Sequence, residues 1–538
     1  MDEQRVLLSE MRILLADRIP ATGLAPLEEG FELVESTDLD DDGLREALAG
    51  VDAVLVRSST TLDRTVLEGQ TRLRVIGRAG VGVDNIDVQA ATEQGIAVFN
   101  APSGNTASAA ELTLALMLAV MRKVAAADRS MRAGEWDRKR FRGSELQGKT
   151  LALVGAGRIG GEVARRARAF GMRVIAYDPY LQEERARKLE IESVSLQEAM
   201  ERGDVVSLHV PLTDATRGLI GADELGRMKP SAVLVNAARG GVLDETALAD
   251  ALRSESIAGA ALDVYESEPL PADHPLRSLD NAVLTPHIGA ATEEAQHNVA
   301  YEVAESVRNA LLTGDVSRAI NGPAVGGDLI RRLGPLMELG GRLGQVARAL
   351  CGRIETLDVR YAGTAAEEAL RPLTAAALVG LLRDVLGSDN VNLVNAGHLA
   401  ESRGIHTSRS YLQEDSGFPE YLELRVAGHG CEARVAGALR GDHPRIVRID
   451  DYGVDVRPEG VLVILRNRDV PGVIGHVGTL LGEAGVNIGE YHQGRMEAGG
   501  EALAAIAVDG KLPSELLDAL AGLPEILAVH QVALSPGT

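Results

Sequence analysis

Three residues of the sequence combine the side-chain types that acid–base and carboxylate-binding chemistry requires. Arg239, Glu268 and His287 each follow a short aliphatic run that predicts a β-strand. A guanidinium binds a carboxylate through paired hydrogen bonds and polarises a neighbouring carbonyl. An imidazole exchanges protons near neutral pH, and a carboxylate beside it fixes its tautomer and stabilises its protonated form. Each residue alone also fits a structural role, but together they predict proton transfer on a carboxylate-bearing substrate.

A glycine-rich turn follows the aliphatic run Leu151 to Val154. Its sequence is Gly-Ala-Gly-Arg-Ile-Gly, and a predicted helix comes next. Glycines at these spacings allow a tight turn and bring a pyrophosphate close to a helix N-terminus. Asp178 ends the following strand, where its carboxylate would accept from both ribose hydroxyls and repel a 2′-phosphate. The pattern predicts a dinucleotide site that prefers NAD to NADP; a plain glycine turn and a solvated acid are the alternatives.

The composition limits the class of protein. The 538 residues carry 55 Lys and Arg against 78 Asp and Glu, a net charge of −23, which disfavours nucleic-acid binding. At about 150 residues per domain we expect three to four domains. The longest apolar run is shorter than the roughly 20 residues of a membrane span, and the first residues do not resemble a signal peptide, so we expect a cytoplasmic protein. Cys351 and Cys431 lie far apart in the sequence, and we expect neither a disulfide nor a metal site.

Alternating strand and helix patterns must position these side chains. Short aliphatic runs from Met11 to Pro102 predict about five parallel strands, and six more between Lys149 and His287 predict a second, doubly wound sheet. Between them, Ser108 to Arg132 predicts one long helix opening with a Ser-Ala-Ala-Glu capping box. A predicted helix from Glu293 to Thr313 precedes the Gly- and Pro-rich linker Asn321 to Gly327.

The rest of the chain predicts two α+β units. Helices at Leu329 to Leu350 and Ala375 to Leu386 precede two predicted antiparallel strands at residues 407–413 and 421–427. From Val461 the order βαββαβ predicts a ferredoxin-like module. The predicted domains are residues 1–103 together with 291–324, then 104–290, 325–460 and 461–538.

The motifs resemble those of the D-isomer-specific 2-hydroxyacid dehydrogenases in order and spacing. The glycine turn, MKPSAVLVNAARGGVLDE, ALDVYESEP and TPHIGAAT carry this resemblance. It implies a flavodoxin-like substrate domain, a Rossmann-like NAD domain, and hydride transfer between NAD and a 2-hydroxy acid. Arg239 would bind the substrate's carboxylate and keto oxygen, and His287, assisted by Glu268, would be the acid–base. The implied NAD contacts are Gly155, Gly157, Arg158, Ile159, Gly160, Asp178, Val210, Pro211, Ala237, Ala238, Asp263, Gly289 and Ala290.

The N-terminal motifs limit the range of candidate substrates. VRSST, GRAGVGVDNID and SGNTASAAELT resemble the long-form branch of this family that acts on 3-phosphoglycerate. This resemblance implies substrate contacts at Arg57, Ser58, Arg78 and Asn105, in addition to Arg239 and His287. A phosphate and a carboxylate bring negative charge to an already acidic protein, so local cations must overcome its overall field. The alternatives are solvated arginines, a glyoxylate or hydroxypyruvate reductase, or an NAD-sensing corepressor that shares this core.

The C-terminal module resembles regulatory modules of the ACT type. By that resemblance Asp469 and Asn487 would hold L-serine as an effector between subunits, and a ligand-free dimerisation module is the alternative. In the preceding domain, basic residues would bind an anionic effector or form a solvated face; they are Arg445, Arg448 and Arg457. Similar enzymes are homodimers or homotetramers, which is the assembly we expect.

Overall fold

The computed structural model describes residues 11–323, 327–387, 390–413, 417–441 and 443–534. The stretch before Met11, on which the expectation of no signal peptide rests, lies outside them. The predicted boundary near residue 325 also lies outside the described residues.

The first domain is built on a five-stranded parallel sheet in the order β2-β1-β3-β4-β5. All four residues of β3 are buried, as expected for a central strand covered on both faces. The helices α1 and α2 begin at the side chains of Asp40 and Asp63, which cap them. The elements are β1 Arg12–Leu15, β2 Glu32–Glu35, α1 Asp41–Ala49, β3 Ala53–Val56, α2 Arg64–Leu67, β4 Val75–Arg78, α3 Val88–Glu93 and β5 Ala97–Phe99.

The second domain opens with two helices where the sequence predicts one. The first, α4 Thr106–Met121, ends before Lys123, whose backbone has φ 54°, and α5 Val124–Arg132 starts directly after it. Prediction of a continuous helix from Ser108 is therefore wrong, because a left-handed residue cannot continue a right-handed helix. The predicted capping box is also wrong: Asn105 precedes α4 and provides no side-chain cap.

A seven-stranded parallel sheet forms the rest of the second domain, in the order β12-β11-β10-β9-β6-β7-β8. The six predicted strands are present, and the short β8 adds an edge. Because β6 lies between β7 and β9, the order reverses there, which is where ligands bind in such sheets. The elements are β6 Thr150–Val154, α6 Arg158–Ala169, β7 Arg173–Tyr177, α7 Glu183–Leu189, β8 Glu192–Ser193, α8 Leu196–Arg202, β9 Val205–Leu208, α9 Ala222–Arg227, β10 Val233–Asn236, α10 Glu245–Arg253, β11 Gly259–Leu262 and β12 Ala282–Leu284.

After the second sheet the chain returns to the first domain. Helix α11 Glu293–Thr313 has the predicted bounds and ends at Gly314, whose φ of 69° suits a C-terminal glycine. Val303 and Val307 of α11 lie in the core of the first sheet. A hydrogen bond of 2.7 Å between the hydroxyls of Ser108 and Thr292 joins the two crossings between the domains. The first domain is thus discontinuous in sequence.

The third domain contains a six-stranded sheet where the sequence predicts two strands. The order is β14-β13-β15-β16-β17-β18, and β14 pairs in parallel with β13, whereas the other pairs are antiparallel. The two predicted strands, β14 and β15, run in opposite directions as expected, but β13, which was not predicted, lies between them. The elements are α12 Gly327–Leu350, β13 Thr356–Ala362, α13 Leu370–Leu386, α14 Ala396–Glu401, β14 His406–Tyr411, β15 Tyr421–Gly428, β16 Cys431–Arg440, β17 His443–Ile449 and β18 Tyr452–Val456.

The C-terminal module has the predicted βαββαβ order, with its sheet arranged β20-β21-β19-β22. The predicted fold class is therefore confirmed in all four parts. Val532 and Leu534 of β22 lie in the hydrophobic core of the third domain, so the two units share a core. The elements are β19 Gly460–Arg468, α15 Val473–Glu483, β20 Ile488–Arg495, β21 Glu501–Val508, α16 Ser514–Ala521 and β22 Ile526–Leu534.

The third domain also contacts the first. Asn392 donates its side-chain N–H to the carbonyl of Gly95 at 2.8 Å, just before β5. Val394 lies in the core that α11 shares with the first sheet. The third domain therefore links the C-terminal module to the first domain.

The two cysteines form a disulfide, so the expectation of none is wrong. Cys351 follows α12 and Cys431 begins β16, with their Cα atoms 5.8 Å apart, a usual separation for bonded cysteines. Folding packs the end of α12 against this sheet. Sequence separation alone did not reveal the contact.

Reduction of this disulfide is expected to lower the free energy of unfolding by about 4 kcal/mol, because the bond closes a long loop in the unfolded chain. Urea unfolding with and without dithiothreitol measures the difference, and a Cys431→Ser variant, which should not respond to the reductant, is the control. Thiol titration of the unreduced protein in denaturant should find no free thiol. Two reactive thiols would contradict the bond.

Candidate active site

The carboxyl edge of the second sheet gathers the residues predicted for the nucleotide and for catalysis. All its strands run in parallel, so the loops after β6, β7, β9, β10, β11 and β12 meet at one edge. The glycine turn follows β6 and Asp178 follows β7. Val210 and Pro211 follow β9, and the remaining predicted residues follow β10, β11 and β12: Ala237, Ala238, Arg239, Asp263, Glu268, His287, Gly289 and Ala290.

The turn between β6 and α6 fits a dinucleotide pyrophosphate. Gly155 has φ 97°, and a Cβ there would lie 2.6 Å from the carbonyl oxygen of His209. At Gly157, by contrast, a Cβ would meet nothing within 4 Å, so this side of the turn is open. Gly157 precedes α6 without a side-chain cap, which leaves amide donors at the helix start, beside Arg158 and Ile159.

Asp178 is held against this turn. Its Oδ2 accepts from the backbone N–H of Ala156 at 2.9 Å, and its Oδ1 accepts from the N–H of Tyr180 at 2.9 Å. These bonds fix the carboxylate beside the glycine turn, as ribose recognition requires. The direct contact with the turn was not predicted.

A partly buried imidazole lies beneath the turn. Nε2 of His209 is 2.9 Å from the hydroxyl of Ser207, and burial lowers the pKa of His209 to about 4. The ring is therefore neutral at physiological pH and adds no positive charge beneath the nucleotide site.

His287 and Glu268 form a hydrogen-bonded pair. Nδ1 of His287 lies 2.6 Å from Oε2 of Glu268. The other carboxylate oxygen accepts from the backbone N–H of Tyr265 at 3.0 Å, so Glu268 is held in place. Pairing through Nδ1 leaves Nε2 as the ring atom for proton exchange, which is the arrangement expected of an oriented acid–base.

A second layer of contacts fixes the loops that carry this pair. Asp263 is 1% exposed and accepts hydrogen bonds from the hydroxyl of Thr285 and the amides of Ile288 and Gly289. Burial, with the nearby Asp263 charge, raises the pKa of Tyr265 to about 12. Asp263 therefore positions the loop on both sides of His287; its predicted contact with NAD stays a prediction.

The side-chain amide of Asn85 contacts both of the arginines predicted to bind substrate in the first domain. The side-chain oxygen of Asn85 accepts from Nε of Arg78 at 2.9 Å, and its N–H group donates to the carbonyls of Arg57 and Thr60. Asp17 accepts from the backbone N–H of Arg57 at 2.5 Å. Asn85 and Asp17 thus position the predicted arginines, and neither was recognised in the sequence, although both follow apolar runs.

Arg239 of the second domain reaches this cluster. Its Nε lies 3.6 Å from Oδ2 of Asp84 in the first domain. Burial lowers the pKa of Arg78, and the positive charges of Arg239 and then Arg57 lower it further, against the opposing effect of Asp84. Three arginines from both domains therefore converge on one cleft, as an anionic substrate would require.

The other predicted substrate residues lie in the loops nearby. Ser58 is exposed beside Arg57. The side-chain Oδ1 of Asn105 is buried and has no hydrogen-bond partner among the described residues, so it is an acceptor that a ligand could satisfy.

The predicted effector residues are engaged by their own module. Asp469 accepts from Arg495 at 3.3 Å and from the N–H of Gly499 at 3.2 Å, and Asn487 donates to Asp509 at 2.9 Å. Their role in binding serine stays a prediction. Asn467, two residues before Asp469, is 1% exposed, and within the described part of the chain its buried Oδ1 has no hydrogen-bond partner.

Two of the three basic residues singled out in the third domain, Arg445 and Arg457, form ion pairs. Arg445 is 16% exposed and contacts Asp455 at 2.7 Å and Glu490 of the C-terminal module at 3.4 Å. Arg457 also pairs with Glu490, at 3.1 Å. The alternative of a solvated basic face is wrong for Arg445, because these pairs join two domains.

The described ranges contain neither a membrane-spanning helix nor a cluster of metal ligands. No helix there is long and apolar enough to cross a membrane. Among the same residues, no group of histidine, cysteine and acidic side chains has an arrangement that could hold a metal ion.

Three family models match successive parts of the chain. Residues 114–289 match the NAD binding domain of the D-isomer specific 2-hydroxyacid dehydrogenases. Residues 332–450 match the D-3-phosphoglycerate dehydrogenase intervening domain, and residues 461–525 match the ACT domain.

Curated relatives match over almost the whole length. The chain is 41% identical to D-3-phosphoglycerate dehydrogenase of Methanocaldococcus jannaschii over 526 residues, which cover 97% of this chain and 100% of the relative. It belongs to the D-3-phosphoglycerate dehydrogenase family. The Bacillus subtilis member is 40% identical over 527 residues, 97% of this chain and 99% of that one. The family resemblance of the motifs is therefore confirmed.

A solved structure supports the cofactor of this family. The NAD-dependent formate dehydrogenase of Staphylococcus aureus in complex with NAD is 32% identical, with a TM-score of 0.51 over 57% of this chain and 96% of that chain. With the matched NAD binding domain and the curated relatives, this identifies the chain as an NAD-dependent oxidoreductase acting on a CH–OH group.

Proposed function

We propose that the chain oxidises 3-phosphoglycerate to 3-phosphohydroxypyruvate with NAD, the first step of the phosphorylated route to L-serine. The observation that carries this proposal is the convergence of Arg57, Arg78 and Arg239 on one cleft. Glyoxylate and hydroxypyruvate carry a single carboxylate and need fewer cations than a substrate with a carboxylate and a phosphate.

In this mechanism the protein binds, orients and deprotonates the substrate. Arg239 binds the carboxylate and the C2 oxygen, and Arg57 and Arg78 bind the phosphate. NAD, when bound on the glycine turn, supplies the acceptor for the C2 hydride. His287 takes the hydroxyl proton at Nε2 while Glu268 stabilises the imidazolium that forms. Closure of the two domains excludes water and aligns the reacting atoms.

The nucleotide residues act through shape and charge. The amides after Gly157 bind the pyrophosphate, and Asp178 binds the adenine ribose and disfavours a 2′-phosphate. The open side of the turn and the fixed carboxylate support these roles.

Regulation and assembly complete the proposal. L-serine would bind the C-terminal module at Asp469 and Asn487. Both residues belong to the predicted domain 461–538. Self-association into a dimer or tetramer is supported by an exposed apolar face on α5 and the following loop, which includes Val124, Met131 and Trp136. A cytoplasmic location stays a prediction.

The test is turnover on a substrate panel with NAD and with NADP. The panel contains 3-phosphoglycerate, 3-phosphohydroxypyruvate, glyoxylate, hydroxypyruvate and 2-oxoglutarate, each with and without L-serine. We expect the phosphorylated pair and the NAD couple to have the highest kcat/KM, and L-serine to inhibit.

The matched variants are Arg57→Ala and Arg202→Ala. Arg57→Ala should lower kcat/KM for 3-phosphohydroxypyruvate by about 30-fold or more and leave hydroxypyruvate nearly unchanged, because only the phosphate contact is lost. Arg202→Ala removes an exposed arginine paired with Glu192 far from the cleft and should change neither. Preference for an unphosphorylated acid would overturn the proposal that 3-phosphoglycerate is the substrate. The absence of turnover on every substrate of the panel would favour the corepressor alternative.

A further inference from the structure

Asp84 occupies the position of an anion in the substrate cleft. Its carboxylate lies 3.6 Å from Nε of Arg239, across the boundary between the two domains. Arg239 is the residue proposed to bind the substrate's carboxylate. The carboxylate of Asp84 therefore contacts the same guanidinium that is proposed to bind the substrate's carboxylate.

The backbone is shaped to allow this contact. A Cβ on Gly82 would lie 2.5 Å from a terminal nitrogen of Arg239 and 2.6 Å from Oδ2 of Asp84. A side chain at this position would therefore displace the ends of both partner side chains and separate them. Glycine at position 82 lets the loop between β4 and α3 approach the guanidinium closely.

The charge of Asp84 acts on more than one arginine. It opposes the lowering of the Arg78 pKa that burial and Arg239 cause, so it also stabilises the positive charge of Arg78. Its neighbour Asn85 joins Arg78 to the Arg57 loop. Asp84 therefore neutralises part of a cluster of like charges that would otherwise repel one another.

We propose that Asp84 is an internal counter-anion that the substrate's carboxylate displaces from Arg239. This inference rests on the proposed function, because it assigns Arg239 to the substrate. Asp84 is 64% exposed, so its carboxylate can turn into solvent when the substrate enters. Asp84 is a specificity-determining residue and not a catalytic one. It competes with the substrate's carboxylate for the Arg239 guanidinium and so sets the affinity that an anion needs to bind there.

Competition of this kind predicts a change in KM rather than in kcat. Asp84→Asn removes the competing charge and makes the cleft more positive, so KM for 3-phosphoglycerate should fall by about 1.5- to 5-fold, the range expected for one partly exposed ion pair. kcat should stay within about 2-fold of wild type. Sulfate, which competes for the same arginines, should inhibit Asp84→Asn at lower concentrations than it inhibits the wild type. The ratio of the two KM values should approach one at high salt.

Two variants separate this role from others. Asp84→Glu keeps the charge and should retain a KM near that of wild type. Glu46→Gln removes the same charge from an exposed site on α1 and should leave KM unchanged, which controls for net charge. Melting temperatures of all three variants verify that they are folded.

The outcomes distinguish the inference from the proposed function. If wild type does not turn over 3-phosphoglycerate, the proposed function fails, and KM is measured with the best substrate of the panel. If the wild type turns over 3-phosphoglycerate and Asp84→Asn has an unchanged KM, the counter-anion role of Asp84 is overturned. A raised KM would overturn it too, and would show that Asp84 orients Arg239 for binding.

Discussion

His287→Ala is expected to lower kcat by about 10²- to 10⁴-fold, the usual contribution of a positioned general base. The variant removes the ring that takes the hydroxyl proton, while the glycine turn and Asp178 remain intact, so KM for NAD should change little. Glu268→Gln should cost less, because the imidazole remains and loses only the carboxylate 2.6 Å from Nδ1. Initial rates of NADH formation across pH measure both variants.

The pair should behave as one unit. The double variant is expected to be no slower than His287→Ala alone, since Glu268 acts through the imidazole. His476→Ala is the matched control, because His476 also pairs with a carboxylate, Glu525, but lies in the C-terminal module. Full turnover with an unchanged pH profile in His287→Ala would reject the assignment.

Arg239→Ala is expected to lower kcat/KM for 3-phosphoglycerate by about 30-fold or more, the effect of removing one partner of a hydrogen-bonded charge pair. The guanidinium binds the carboxylate in the ground state and the C2 oxygen as it changes, so both KM and kcat should worsen. Arg239→Lys retains the charge without the planar pair of donors and should recover only part of the loss.

Steady-state kinetics with Arg239→Ala should show a different pattern from Arg57→Ala. Loss of Arg239 should affect every 2-hydroxy acid, because all carry the carboxylate, whereas loss of Arg57 should affect phosphorylated substrates alone. Equal effects of the two variants on hydroxypyruvate would contradict this division of roles.

The sequence predicts the parts of the fold that rely on uninterrupted apolar strands. β3 and β6 are buried along their whole length, and the turns that follow them hold polar residues, so both strands and chemistry were recognisable. The third domain was less predictable because its strands carry charged residues inside. Glu423 on β15 is 1% exposed; burial acts to raise its pKa, but hydrogen bonds from Arg434 and Arg425 hold it below its usual value. β15 was predicted in spite of Glu423, whereas its neighbour β16, which carries Arg434, was not, because charged residues interrupt its apolar pattern.

In the site, too, the sequence predicts residues that belong to a local motif but not those whose role depends on tertiary contacts. Arg239, Glu268 and His287 were recognisable because each follows a strand with a side chain suited to chemistry. Asp84 and Asn85 were not, because their importance comes from side chains of other segments that folding brings near. The disulfide was missed for the same reason.

Helix α12 and strand β5 give the C-terminal module a route to the cleft. His530 of β22 contacts the carbonyl of Ala349 near the end of α12 at 3.0 Å, and the third domain in turn holds Gly95 through Asn392. This route enters the domain that carries Arg57 and Arg78. We expect a ligand that shifts these contacts to change the affinity for the anionic substrate, which ligand titrations of the substrate KM would measure. Coupling of this kind is reciprocal, so a saturated cleft must change the affinity for that ligand by the same factor.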